Sequence, residues 1–226
     1  TTNIQLRYLS DALSIAMIRE IEGANDSLPK GPKYENYRWM AEREAEHEAL
    51  VWNLEFLNPS PSLKITGKKV MPGISNYFYG QDASKWVRGV KRYQELWYEN
   101  MYPGTSLRYY GTEDQQMKYD FVLEAFADPQ HIQLGMEGIQ SFSIMPEGSM
   151  KIQTEWGVVE EARPYAYQIV GEEEVPVQVS YKILTANSFG FEITGNYDPS
   201  LPLVIDPITL NWASYFHSST SDDYVM

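Results

Sequence analysis

"SLRYYGTEDQQMKYDFVLEAF", residues 106–126, decides the fold. Leu107 and Tyr109 stand on alternate positions before a polar run, and Met117, Tyr119, Phe121 and Leu123 do so after it. Alternation of period two places those side chains on one face of a pleated strand, so the stretch predicts a hairpin turning at 111–115.

The same period continues outward in both directions. Downstream it runs through Ile132, Leu134 and Met136, then through segments 139–145, 150–155, 158–162 and 164–170. "VPVQVSYKIL" alternates from Val175 to Ile183, and "FGFEIT" through Phe189, Phe191 and Ile193. Upstream, Ile4, Leu6 and Tyr8 alternate, as do Leu13, Ile15 and Met17, around a turn at Ser10-Asp11; a short helix over 11–20 competes there. Residues 23–37 read as a loop. "WMAEREAEHEAL" (39–50) has helical propensity but feeds the alternating Leu50, Trp52, Leu54 and Phe56, so it reads as a polar excursion into a strand. Asp82 before Ala83 and Asp128 before Pro129 suit single capped helical turns.

Many short strands with turns every ~8–12 residues predict an all-β protein, an antiparallel two-sheet sandwich with one or two short helical turns. Residues 1–49 supply N-terminal strands and the polar excursion, and 50–209 the sandwich core. Residues 210–226 open something new.

The chain has 226 residues, 43% hydrophobic and 22% charged, with 17 Tyr and 6 Trp. Such aromatic weight favours pleated, half-buried surfaces. Net charge is −13, which argues against the phosphate backbone as a partner. The absence of cysteine excludes disulfides, thiolate metal sites and cysteine nucleophiles. No apolar run approaches the ~20 residues of a membrane span. A start at Thr1-Thr2-Asn3 reads as a processed or trimmed end.

Catalytic motifs are missing. His47, His131 and His217 lack metal-ligand spacing, and His47 and His131 read as surface residues. No nucleophile elbow, phosphate loop or dinucleotide fingerprint occurs. The acidic groups Glu113-Asp114, Glu160-Glu161 and Glu172-Glu173-Glu174 fall at turns and strand ends, where carboxylates are hydrated. Asp198, Asp206, Asp222 and Asp223 lie near loops but form no calcium-loop motif, and Asp206-Pro207 reads as a strand-end cap. We therefore expect no catalytic residue, no metal and no cofactor.

The aromatic block 76–111 is the candidate recognition surface, with Tyr79, Trp86, Trp97 and Tyr110 as binding residues that stack on a glycan or anchor a protein. The competing reading packs Tyr77, Tyr79, Trp86, Trp97, Tyr102 and Tyr109 into the core.

Five segments in order, "MPGISNYFYGQDASKW" (71–86), "NMYPGTSLRYYG" (100–111), "KYDFVLEAFADPQHIQL" (118–134), "ARPYAYQ" (162–168) and "NYDPSLPLVIDP" (196–207), carry a family resemblance. The series resembles the N-terminal domain of bacterial secreted or surface proteins bearing SBBP (β-propeller) repeats, many from Bacteroidota. The resemblance implies a seam at "PLVIDP", after which Trp212–Phe216 and Ser219–Asp222 open a first propeller repeat; His217-Ser218 departs from the glycine pair usual there. It implies a non-catalytic module at the front of a multi-domain protein at the cell surface or outer membrane. That module positions the propeller and meets an envelope protein, in a type IX secretion or gliding-related assembly. Alone, one propeller strand cannot bury its faces, so 210–226 is expected to fray. Asp26-Ser27-Leu28 resembles the Bacteroidota O-glycosylation acceptor, which makes Ser27 a candidate. The alternatives are a glycan-binding sandwich using exposed aromatics and a polysaccharide or peptide hydrolase.

Overall fold

Alternating apolar residues need a second layer to bury them, and these strands find it in one another. A computed structural model describes residues 2–8, 12–20, 47–78, 80–111, 117–207 and 210–211. Strands run in chain order from β1 (Thr2–Tyr8), β2 (Ala12–Glu20) and β3 (His47–Phe56) to β4 (Lys64–Tyr77) and β5 (Val87–Tyr102). Then come β6 (Thr105–Gly111), β7 (Met117–Leu123), β8 (Gln133–Glu137), β9 (Ser141–Ile144), β10 (Met150–Thr154) and β11 (Gly157–Glu161). Last are β12 (Tyr165–Val170), β13 (Glu173–Val177), β14 (Val179–Thr185), β15 (Ser188–Ile193), β16 (Leu203–Asp206) and β17 (Leu210–Asn211).

The fold is all-β, and the strands fall into three antiparallel sheets, one more than a plain sandwich. Sheet A has the order β1-β2-β3-β8-β15-β14, sheet B β13-β12-β16-β7-β6-β5-β4, and sheet C β17-β11-β10-β9. The 106–126 hairpin is present as β6 and β7, with Leu107 opposite Phe121 and Tyr109 opposite Tyr119; of its expected turn, Gly111 ends β6 opposite Met117, and 112–115 lie outside the described residues. Residues 12–20 form a strand rather than the competing helix, pairing with β1 and β3. Both helical turns are single 3-10 turns. Asp82 accepts from the Ser84 amide at 3.0 Å, and Asp128 from the Gln130 amide at 2.9 Å.

One core joins the sheets. Leu54, Phe56, Leu134, Phe189 and Phe191 line the inner face of sheet A, and Tyr98, Leu107, Phe121, Leu123 and Ile205 that of sheet B, all buried. Phe121 and Phe191 meet across the gap at 5.8 Å. Sheet C closes one side through Met150, Ile152 and Val159, with Phe142 meeting Phe189 at 5.9 Å. Such aromatic contacts supply much of a core's stabilisation.

"VPVQVSYKIL" reads as one strand but is two. Val177 pairs with Ala166 in sheet B, and Val179 with Ile193 in sheet A, so the chain changes sheets at Gln178. Alternation survives the corner because the inner face stays the inner face. Gly195 lets the chains pass there, since a β-carbon on it would lie 2.9 Å from that of Gln178. Among the described residues no helix is long and apolar enough to cross a membrane.

Candidate functional site: a basic ribbon, its polar root and a cleft

Strand β5 outruns its neighbour. It pairs with β6 only from Glu95 to Tyr102, so Val87–Gln94 pair with β4 alone. Those eight residues extend about 25 Å at ~3.3 Å each. Among the described residues no third layer covers the two strands there, and Val70, Ile74, Phe78, Val87 and Tyr93 are 42–62% exposed.

Local devices hold the ribbon together. Register shifts between Val70 and Ile74 and between Ser75 and Tyr77 twist it, with Gly73 at φ +86° and Gly89 at φ +69°. Asn76 accepts from the Gly89 amide at 2.9 Å, and Arg92 donates to the Pro72 carbonyl at 2.6 Å. At the tip, Trp86 donates to the Gly80 carbonyl at 3.2 Å and meets Phe78 edge-on at 5.2 Å, with the Arg88 guanidinium 5.4 Å from the Phe78 ring.

From Lys64 to Tyr93 the sequence holds seven Lys and Arg and one acid, Asp82. The segment is therefore +6 in a chain of −13, which leaves −19 elsewhere. A running charge count would have found this basic block; a search for aromatics finds only its rings.

At the ribbon's root, the outer face of sheet B is a charged belt. Lys69 lies 2.5 Å from Glu95, which also accepts from Trp97 at 2.9 Å. Those two donors, Lys69 foremost, hold the Glu95 carboxyl below the usual range. Lys68 sits 3.9 Å over the Trp97 ring, and Arg108 4.5 Å from the Tyr110 ring. Arg108 ion-pairs with Asp120, which Tyr110 also approaches at 3.3 Å. Burial nevertheless pushes the Asp120 carboxyl up, since only 1% of the residue meets solvent. Lys118 pairs with Asp206 at 3.3 Å, so Asp206 serves an ion pair at its strand end.

Of the expected binding residues, Trp97 and Tyr110 share one cation, the Arg108 guanidinium lying 5.8 Å and 4.5 Å from their rings. Trp86 is half-buried at the ribbon tip, while Trp97 and Tyr110 are half-buried on the outer face beside cations. Tyr79 lies outside the described residues, as do Ser27 and residues 212–226. Of the rings assigned to the core, Tyr102 and Tyr109 are there; Tyr77, Trp86 and Trp97 are not fully buried.

One acidic group is not hydrated as its sequence position suggests. Glu161 faces inward on β11 and is 3% exposed, 3.3 Å from the Tyr119 hydroxyl. Burial pushes its carboxyl up to about 8, against the opposing pull of Tyr119 and Tyr181. Its neighbour Glu160 points outward, accepting from Ser149 at 3.0 Å.

A cleft of 470 Å³ opens on sheet A, lined by Glu55, Gly135, Glu137, Gln140, Asn187 and Ser188 among others. Glu55 opposes Gly135, two residues from Glu137 on the neighbouring strand. Such diagonal neighbours sit roughly 7–8 Å apart. Among the described residues no three His, Asp or Glu side chains gather to hold a metal. Asp198 is engaged in a turn, accepting from the Ser200 amide at 2.8 Å.

Together these features define a class: an all-β module of three antiparallel sheets with a long projecting ribbon. No curated protein and no solved structure matches the chain. A family model does, over residues 3–208, and the chain belongs to that family, described as Domain of unknown function (DUF7948).

Proposed function

We propose that the chain is a non-catalytic β-module of a larger secreted or cell-surface protein, one that docks a protein partner through the β4–β5 ribbon. The observation that carries this reading is the ribbon itself, which leaves the sheet with five large apolar side chains in solvent. Exposed apolar groups rimmed by charge mark interaction surfaces. The wider context, a following propeller, an envelope location and a type IX or gliding-related assembly, rests on the resemblance of the ordered motifs to SBBP-repeat proteins alone. In that context the ribbon is a docking arm and the three sheets are its mount.

A photo-crosslinking residue at Ile74, with Glu155 as a control on the body, tests the reading in the source cell. Crosslinks at Ile74 and none at Glu155 are expected. A bare Ile74 position in the intact assembly removes the docking role.

A second reading, polysaccharide or peptide hydrolysis, is favoured by the cleft and its two carboxylates. Glycosidases set two carboxyls about 5–9.5 Å apart. Turnover of a glycan or peptide library that vanishes in Glu55→Gln or Glu137→Gln would establish it; no turnover by the native chain ends it.

A further inference from the structure

The ribbon has a counterpart on the opposite edge of its own sheet. Strand β13 closes sheet B at the end far from β4. The β12–β13 hairpin turns at Gly171 and Glu172, and Glu172, Glu173 and Glu174 are all exposed. Beside them Ile169, Val170 and Val175 are 42–51% exposed. One edge of the sheet thus offers cations interleaved with bare aliphatic groups, and the other offers acids interleaved with the same.

We infer that the ribbon's partner is a second copy of this chain, which receives it on the β12–β13 hairpin. This rests on the docking reading above and names the occupant. Charge selects it: the chain outside residues 64–93 carries −19, so every copy presents the counter-charge its neighbour's ribbon requires. An anionic lipid surface would attract the ribbon but repel the body, and would leave the hairpin's apolar residues in water. The contact is between side chains rather than by strand addition. Lys68, Lys69 and Pro72 on β4, together with its bulges, are the devices that keep an edge strand from pairing. Because each copy carries both halves, the contact either closes reciprocally in a two-fold dimer or repeats head to tail.

Salt gives the contact a diagnostic sign. Two bodies of net −13 repel, so screening would strengthen a purely apolar contact. A contact between basic ribbon and acidic hairpin weakens instead, by at least about tenfold as NaCl rises from 0.1 to 1 M and the screening length falls from about 10 to 3 Å.

Sedimentation velocity of the 226-residue chain tests the inference. Concentration-dependent association at 0.1 M NaCl is expected, and its loss in Lys85→Glu/Lys91→Glu and, separately, in Glu172→Lys/Glu173→Lys. All four positions are exposed, and unchanged far-ultraviolet circular dichroism verifies folding. Mixing the two variants regains association, because the native ribbon of the hairpin variant then meets the native hairpin of the ribbon variant. A chain that stays monomeric, an association indifferent to both reversals, or a mixture that stays monomeric overturns the inference. So does a monomer that binds phosphatidylglycerol vesicles through the ribbon. Crosslinking at Ile74 to a different protein, with a monomeric chain in solution, removes the second copy while leaving the docking role intact.

Discussion

Strands β4 and β5 are one hairpin living in two environments. At its inner end β5 carries Tyr98, Met101 and Tyr102, buried under sheet A, and Tyr102 donates to the Gln133 carbonyl at 2.8 Å. At its outer end the same strand carries Val87 and Tyr93 in solvent. The backbone pairing continues through both; what differs is the third layer. Hydrogen-bonded pairing alone keeps a ribbon in register, but burial supplies the stability, so the two ends should respond differently to the same kind of substitution.

The largest effect belongs to the inner layer. Phe121 has no exposed surface and touches Phe191 at 5.8 Å and Tyr119 at 6.0 Å. Phe121→Ala should cost about 3–5 kcal/mol, read from urea denaturation. A loss under 1 kcal/mol would mean the sheets do not pack as described.

At the root, where the two environments meet, Asp120→Ala takes from Arg108 its ion-pair partner and leaves only the weaker pull of Glu95, itself engaged by Lys69. Arg108 is a quarter exposed, so solvent softens the penalty to about 2 kcal/mol. Replacing both residues by apolar ones should cost less than removing either alone. A double-mutant cycle measures this, and additive losses would contradict a coupled pair.

Glu161 sharpens the contrast by pH. Its folded carboxyl titrates near 8 against an ordinary 4.5, so the folded chain binds that proton more tightly than the unfolded chain. Its contribution is whole below about 4.5, is lost as pH rises towards 8 and is flat beyond, with a slope of at most about 1.4 kcal/mol per pH unit. Glu161→Gln should erase the slope in this window. A slope that persists in the variant assigns it to other groups.

How much of this could be read in the chain follows the same division. Leu107, Tyr109, Phe121 and Leu123 announced their strands because a buried face imposes period two. The ribbon has no buried face, so Val70, Ile74 and Val87 follow no period that a core would enforce. Its aromatic residues drew attention as a binding surface, yet Trp86 stands at the tip and Trp97 at the root, on different parts of one hairpin. Arg108 and Asp120 are twelve residues apart and meet only because the β6–β7 register sets them opposite. Glu161 looked hydrated because it ends a strand; its burial depends on Tyr119 and Tyr181 from the other two sheets. The corner at Gln178 was invisible because alternation runs unbroken through it.

The smallest stability effect belongs to the ribbon. Ile74 is 62% exposed and lies opposite Lys91, and among the described residues no third layer covers either. Ile74→Asp gives up little burial, so the unfolding free energy should stay within about 0.5 kcal/mol of the parent. Hydrogen exchange carries the other half of the comparison. Amides in Val87–Gln94 should exchange through local opening, faster than those of Leu107 and Phe121, whose protection reports global unfolding. If ribbon and core amides exchanged alike in the monomer, at concentrations too low for copies to associate, or if Ile74→Asp unfolded the chain, the ribbon would be packed against its own chain. Its exposed face would then not be available to a partner.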